Sequence, residues 1–335
     1  MKKIFLTAAA VILTLAMLLT AASCRDKGND KTDEPTAEPK ATEERVDPST
    51  VNPLMWRVTD DAGHTLYLFG TIHVGDKRNE AVMSRISGVV DGCDALAVEF
   101  DAVAYAADMQ KMMNDMMQYV LTDGSVVSDY MPADLYDRAY KLLNKAGLMP
   151  ALFVQYNLAW WAQLVDSAMM VVYTDLDTEK AMDSLLIKHA NEKGLQILEV
   201  ESSEFQMGLL NSFDNELYLM MIESALDGAD VYGEELARLY ELWLSGDRDA
   251  LWKYLTEEDA PEEGTEYTEE QLAMIETYNR LLLDDRNIGM KDKAISYLES
   301  GKTVFFAVGA AHMANEVGLV KLLTDAGYNV EEIKY

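Results

Sequence analysis

Two short apolar runs at opposite ends of the chain constrain the fold most, because each indicates a buried strand that ends in Gly-x-x-His. The first run is LYLFGTIH, which ends at His73, and the second is TVFFAVGAAH, which ends at His312. The chain has 335 residues and only 4 histidines, so a histidine directly after a strand is a notable use of a rare residue. Near-continuous apolar runs of this length are typical of strands buried on both faces of a parallel sheet.

The remaining pattern predicts an α/β fold with a mostly parallel central sheet flanked by helices. Strand-like runs alternate with longer segments of helical periodicity, which is the order of parallel α/β domains. The segment DDAG joins the first two strand-like runs and predicts an N-terminal β-hairpin. Two strand-poor regions predict a large helical insertion at about residues 101–195 and a helical segment at about residues 203–300.

The first 24 residues have the features of an export signal. Lys2 and Lys3 precede the apolar run Ile4–Ala22, and small residues lead directly to Cys24. Small residues before a cysteine resemble the lipobox of bacterial lipoproteins, in which that cysteine is acylated. We therefore expect a lipoprotein signal peptide over residues 1–24 and an extracytoplasmic bacterial protein anchored to the membrane at Cys24. A plain signal peptide and an uncleaved anchor helix are the alternatives.

The segment after the signal is rich in Asp, Glu, Thr, Lys and Pro, which predicts a disordered acidic tether over residues 25–53. The folded domain is expected over residues 54–335. Lys and Arg number 28 against 58 Asp and Glu, for a net charge of −30. This charge repels polyanions, so we expect no nucleic acid partner. If Cys24 is acylated, Cys93 has no internal partner and the domain has no disulfide.

Polar side chains follow the predicted ends of four strands: His73, Glu99, Glu201 and His312. In open α/β sheets, ligands bind beyond the carboxyl ends of the strands. Two imidazoles with one or two carboxylates suit a divalent metal such as Zn, Mn, Co or Fe. The same set suits acid–base catalysis without a metal. The structural alternative is that each histidine is only a hydrogen-bonded core residue and each glutamate is solvated or caps the next helix.

A glycine stands three residues before each of the two histidines, at Gly70 and Gly309. Glycine lets the backbone turn sharply and approach a neighbouring segment closely. We therefore expect both glycines to be structural parts of the site.

Several segments, taken in order, resemble the TraB/PrgY/GumN family, which includes the Tiki proteases. These segments are LYLFGTIHVGD, ALAVEFD, VESSEFQ, LLLDDRNIGM and FFAVGAAHMANEVGLVKLLTDAGYNV. The resemblance spans roughly Leu54 to Lys334. The matching positions are Gly70, His73, Glu99, Arg286, Gly309 and His312, with Glu201 and Gln206 in a weaker segment. Ser202 replaces the usual threonine, and the segment around Asp177 lacks the usual glycine, so no role is carried to Asp177.

The resemblance implies roles for these residues. Tiki proteins are described as metal-dependent proteases that act near membranes with manganese or cobalt. His73, Glu99 and His312 would hold a divalent metal (Mn, Co or Zn), and Glu201 would be a further ligand or the general base. Arg286 would stabilise an oxyanion or bind a substrate carboxylate. The structural alternative for Arg286 is a surface salt bridge beside its neighbouring aspartates.

The leading hypothesis is therefore a surface-anchored, divalent-metal-dependent hydrolase that cleaves a peptide or protein substrate. Bacterial relatives include pheromone-shutdown proteins, so a second hypothesis is a non-catalytic extracellular protein that sequesters a peptide or signal. A third is a haem- or metal-binding lipoprotein.

Overall fold

The computed structural model describes residues 46–256, 267–314 and 316–333. The predicted signal peptide, Cys24 and most of the predicted tether lie outside the described residues. The last part of the predicted tether packs on the domain, because Val51 is buried and Asn52 donates its backbone N–H to Leu244. Arg85 donates to the Val51 carbonyl at 2.8 Å, which attaches this segment to the first long helix.

The strands are β1 (Met55–Thr59), β2 (Thr65–Thr71), β3 (Ala95–Val98), β4 (Gln196–Glu199), β5 (Val304–Gly309) and β6 (Asn329–Glu332). The helices are α1 (Arg78–Val90), α2 (Ala102–Ala107), α3 (Met109–Met117), α4 (Ala133–Lys145), α5 (Leu158–Tyr173), α6 (Met182–Lys193), α7 (Ser203–Leu210), α8 (Asn215–Asp227), α9 (Tyr232–Ser245), α10 (Arg248–Thr256), α11 (Glu269–Asn279), α12 (Asp285–Glu299) and α13 (Leu319–Asp325).

The strands form one six-stranded sheet in the order β4-β3-β5-β2-β1-β6. The pairs β3–β4, β3–β5 and β2–β5 are parallel, whereas β1 is antiparallel to both β2 and β6. Only β1 therefore runs against the other five strands. Every residue of β3 and of β5 is buried, as expected for central strands with helices on both faces. The predicted α/β class, the mostly parallel sheet and the N-terminal hairpin are confirmed.

Helices fill the long connections between the strands. The apolar helix α5 packs against α4, α8 and α9, and its residues Trp160 and Trp161 are buried. The apolar stretch that contains this helix begins at Pro150, but α5 starts only at Leu158, after a 3₁₀ turn. The side chain of Asn157 accepts a hydrogen bond from the Trp160 N–H and marks the true helix start.

The methionine-rich segment forms two helices, α2 and α3, although the helical spacing of its residues continues through the break between them. Asp108 stands between α2 and α3, where its side chain caps the N–H of Lys111. In α3, Met112 and Met116 pack against the core, whereas Met109, Met113 and Met117 are exposed. Only part of the methionine-rich face of α3 therefore belongs to the hydrophobic core.

Within residues 46–256, 267–314 and 316–333, no helix combines the length and the apolarity needed to cross a membrane. Cys93 is a buried free thiol, and its Sγ donates to the Val89 carbonyl at 3.3 Å.

Candidate active site

Four adjacent strands deliver the four predicted side chains to one edge of the sheet. In the sheet order β4-β3-β5-β2, the residues that follow the strand ends are Glu201, Glu99, His312 and His73. These four strands run in the same direction, so their carboxyl ends meet at one edge. The strand order thus brings together residues that lie more than 200 positions apart in the sequence.

Gly309 marks the point on which these groups converge. A Cβ placed on Gly309 would lie 3.4 Å from Glu99 Oε1, 3.6 Å from His312 Cδ2 and 3.7 Å from His73 Nε2. The Gly309 N–H also donates to Glu99 Oε1 at 2.9 Å. Both imidazoles and the Glu99 carboxylate therefore surround one small volume beside the glycine.

Gly70 has a different structural task. A Cβ there would lie 3.0 Å from the Cα and 3.1 Å from the Cβ of Ala310. The missing side chain lets the turn that follows β5 lie directly on β2, with Ala310 at the contact. That turn carries His312, so the glycine controls how closely the two histidine segments approach.

Asp183 orients His73. The Nδ1 atom of His73 is 2.9 Å from Asp183 Oδ2, and Asp183 Oδ1 accepts a hydrogen bond of 2.7 Å from the Thr71 hydroxyl. Burial by itself would lower the pKa of His73. The charge and the hydrogen bond of Asp183, with a smaller contribution from Glu99, instead raise the pKa to about 9. Without a metal, His73 is therefore an imidazolium at neutral pH.

Asn287 orients His312. The Nδ1 atom of His312 lies 2.7 Å from Asn287 Oδ1, and Asn287 Nδ2 donates to the Val317 carbonyl at 2.8 Å. Since that carbonyl can only accept, the amide oxygen must face the ring, and Nδ1 carries the hydrogen. Burial first, and then the charge of Arg286, lower the pKa of His312 to about 3. His312 is therefore neutral, with the Nε2 lone pair facing the site.

The Nε2 atoms of His73 and His312 are both buried and have no hydrogen-bond partner within the described part of the chain. Buried polar atoms without partners are uncommon in folded proteins and call for a specific explanation. The His312 Nε2 atom lies 3.9 Å from Glu99 Oε1. Two unpartnered imidazole nitrogens beside a carboxylate oxygen are a donor set suited to a divalent transition metal.

As the side chains stand, no group of three or more His, Cys, Asp and Glu residues in the described ranges has metal-binding geometry. The chemistry of the donors nevertheless fits a metal. Each imidazole is held through Nδ1 by an acceptor, as metal-binding histidines usually are, and this leaves Nε2 available as a ligand.

Arg286 binds the two glutamates together. Its Nε and Nη2 atoms donate to the two oxygens of Glu201 at 2.9 and 2.8 Å, and Nη2 also donates to Glu99 Oε2 at 2.7 Å. The amide of Gln206 donates at 2.8 Å to Oε2 of both carboxylates. Arg286 is 6% exposed, so the surface salt bridge considered from the sequence is excluded. Asp285 pairs instead with Arg280.

A π-helical turn at residues 280–284 joins α11 to α12 immediately before Arg286. The Nη1 atom of Arg286 donates back to the Leu282 carbonyl at 3.1 Å, within this turn. After this turn, two consecutive residues of α12 contact site residues: Arg286 contacts the glutamates, and Asn287 contacts His312. Such turns often occur at functional sites because they change which side chains a helix presents.

Sequence reasoning did not find Asp183 or Asn287. Asn287 stood beside Arg286 in a segment already noted for its resemblance, and this adjacency was the available signal. Asp183 lies six residues after Asp177, the position that had been considered. Asp177 instead forms a backbone bridge with Gly75, with hydrogen bonds of 2.9 and 2.8 Å.

Known proteins are similar to this chain over most of its length. Residues 54–332 match the TraB/PrgY/gumN family. The protein named Uncharacterized protein YbaP of Escherichia coli (strain K12) is 21% identical over 266 residues, which cover 79% of this chain and 90% of the relative. A protein of Amphimedon queenslandica named Metalloprotease TIKI homolog is 23% identical over 327 residues, which cover 85% of this chain and 62% of the relative. No solved structure matches. This chain belongs to the TraB/PrgY/gumN family, as its motifs predicted.

Proposed function

We propose that this protein is a divalent-metal-dependent hydrolase that cleaves peptide bonds. One observation carries the proposal: among the described residues, the buried Nε2 atoms of His73 and His312 have no hydrogen-bond partner, and both imidazoles lie beside Gly309 and the carboxylate of Glu99. The similarity to a protein named as a metalloprotease supports the same reading.

The residues that would hold the metal are His73 and His312 through Nε2 and Glu99 through Oε1. A divalent ion held there would lower the pKa of a bound water toward neutral pH and would polarise a carbonyl oxygen. Gly309 leaves the space between the donors free of side-chain atoms. Manganese, cobalt and zinc all accept this mixture of imidazole and carboxylate ligands.

Glu201 is the proton acceptor of the proposed site. It receives two hydrogen bonds from Arg286 and one from Gln206, which hold the carboxylate in one orientation beside Glu99. A fixed carboxylate next to a metal-binding residue can accept a proton from water and deliver it to a leaving amine. Arg286 uses its Nε and Nη2 groups on the two carboxylates. This favours a role in holding them over direct contact with an oxyanion.

The proposed substrate is a peptide or protein outside the cytoplasm. We further propose that a lipid on Cys24 anchors the protein to the membrane. The support is the sequence of residues 1–24, in which a basic start, an apolar run and small residues precede the cysteine. Mass spectrometry of the membrane-extracted protein tests this directly, because acylation adds a lipid mass to a peptide that begins at Cys24. An unmodified N-terminus at another residue would contradict the anchor.

The metal-dependent function is tested by loading the purified protein with Mn²⁺, Co²⁺ or Zn²⁺ and measuring bound metal and cleavage of a peptide library. We expect about one ion per chain, and the loss of both binding and cleavage in His73→Ala and His312→Ala. His189→Ala is the matched control, because His189 pairs with Asp91 on the surface and should keep both properties.

Two results would contradict this proposal. Full cleavage by wild-type protein after removal of all divalent metal would exclude a metal-dependent reaction. A peptide that binds tightly to the metal-loaded protein and is recovered uncut would show the sequestering function instead.

A further inference from the structure

We propose that Asp183 and Asn287 are positioning residues that make the two histidines unequal, with His73 the stronger metal ligand and His312 the weaker. The inference rests on the proposed function and adds residues that the sequence motifs did not assign. Both residues contact Nδ1 of an imidazole whose Nε2 is unpartnered within the described residues, so both act on the metal through a histidine.

Asp183 is held in place from two sides. It lies in the first turn of α6, where its Oδ1 accepts from the Thr71 hydroxyl and its Oδ2 faces His73. The backbone N–H of Met182 donates to the carbonyl of Ile72 at 3.2 Å, which joins the start of α6 to the histidine segment. Asp183 is 7% exposed. Its carboxylate is therefore a fixed, buried charge behind the His73 ring.

The segment before α6 strengthens this attachment. Gly75 and Asp177 exchange two backbone hydrogen bonds, and Asn79 donates its amide to the Lys180 carbonyl at 2.7 Å. A Cβ on Gly75 would lie only 2.7 Å from the carbonyl oxygen of Lys180, so the two segments are in direct contact. The loop that carries His73 is thus tied to the segment that carries Asp183 at several points.

Asn287 supplies a neutral acceptor. Its amide group spans from His312 Nδ1 to the Val317 carbonyl and is fully buried. An aspartate in this place would point a carboxylate oxygen at that carbonyl, so the backbone selects an amide here. A carboxylate behind an imidazole raises its strength as a ligand, whereas an amide oxygen mainly fixes its orientation.

The charges of the site suit a divalent cation. Asp183, Glu99 and Glu201 carry three negative charges when ionised, and Arg286 carries one positive charge. With both imidazoles neutral, two negative charges remain, and these match a divalent cation. Asp183 supplies one of those two charges without occupying a ligand position.

Asp183→Asn removes the negative charge behind His73 but keeps the shape and the hydrogen bonds of the side chain. The asparagine oxygen can still accept from His73 Nδ1, and its NH₂ group can donate to the Thr71 hydroxyl, which both donates and accepts. Calorimetric titration of the full chain with Co²⁺ should show affinity about 10- to 100-fold weaker than wild type. Asp177→Asn is the control, because Asp177 pairs with Gly75 through its backbone. The affinity of this variant for Co²⁺ should equal that of wild type.

The visible absorption of bound Co²⁺ reports whether the ligand set itself is kept in the variant. We expect Asp183→Asn to show the wild-type band at saturation, with only the affinity reduced. An affinity within threefold of wild type in a folded variant would overturn the role of Asp183. A wild-type protein that binds no Co²⁺, Mn²⁺ or Zn²⁺ would overturn the proposed function itself, which is a different result.

The role of Asn287 has its own readout in the metal-free protein. Nitrogen-15 NMR of the imidazoles should show His312 as the Nδ1–H form in wild type and as a mixture of both forms in Asn287→Ala. An Nε2–H form in the wild-type protein would overturn the assignment, because Nε2 would then be unable to bind a metal. This measurement does not depend on activity.

Discussion

Removing the charge of Arg286 tests how the site is held together. In Arg286→Met the carboxylates of Glu99 and Glu201 lose their shared cation while they remain buried. Their side chains are 7% and 9% exposed, and that of Arg286 is 4% exposed. Removing one partner from a buried ion pair costs about 3–5 kcal/mol, because the other charge is left uncompensated. Two carboxylates are left here, so we expect a loss of about 5 kcal/mol.

The assay is thermal unfolding with a chelator present, so that bound metal does not contribute. About 5 kcal/mol corresponds to a fall in Tm of roughly 8 °C for a domain of about 280 residues, at an unfolding entropy of about 2.1 cal/mol/K per residue. Arg138→Met is the matched control, because Arg138 pairs with Asp227 on the surface, where side chains are 39% and 61% exposed. Such a pair contributes about 0–1 kcal/mol. The double variant Arg286→Met with Glu201→Gln should recover part of the loss.

The loss should also depend on pH. Burial opposes the ionisation of Glu99, but the nearby positive charge, chiefly that of Arg286, lowers its pKa from 4.5 to about 2. In wild type, this lowered pKa contributes stability that is fully present above pH 4.5 and is lost as the pH falls toward 2. The difference between the variant and wild type should therefore be largest at neutral pH and should narrow in acid. A fall of under about 1 kcal/mol at pH 7, or a pH-independent loss, would refute this reasoning.

Three further predictions concern separate parts of the molecule. Gly309→Ala should fold normally, because its Cβ meets neighbours only at 3.4 Å and beyond, yet it should lose metal binding in calorimetry because that Cβ lies among the donors. Asp166→Asn should stabilise the protein at pH 7 in denaturant unfolding, since burial raises the Asp166 pKa from 3.8 to about 7. The destabilisation caused by the buried Asp166 carboxylate grows from pH 4 to pH 7. It is absent below pH 4, where Asp166 is protonated in both the folded and the unfolded protein. An equal stabilisation by Asp166→Asn at pH 3.5 would contradict this prediction. Cys93 should react slowly with iodoacetamide at pH 8 until the protein unfolds, because burial raises its thiol pKa to about 12, and rapid labelling of the folded protein would contradict this.

The sequence was a good guide to features that depend on local pattern. Apolar runs identified β2, β3 and β5 because buried central strands have few polar residues. It was a weaker guide to where helices begin, since the cap at Asn157 and the break at Asp108 are single-residue signals inside apolar or methionine-rich stretches. The turn at residues 280–284 left no readable signal, because the residue pattern of a helix continues through it.

The sequence by itself determined the class of the fold, the residues that follow the strand ends and the family of the protein. It could not determine the neighbours of those residues, because strand order depends on packing between segments far apart in the chain. Only the tertiary structure placed β2 beside β5, so that the two Gly-x-x-His segments meet at one edge. Only it assigned Asp183 to His73 and Asn287 to His312, and it excluded the surface salt bridge that was the alternative for Arg286. These contacts join residues from separate elements, and no periodicity along the chain records them.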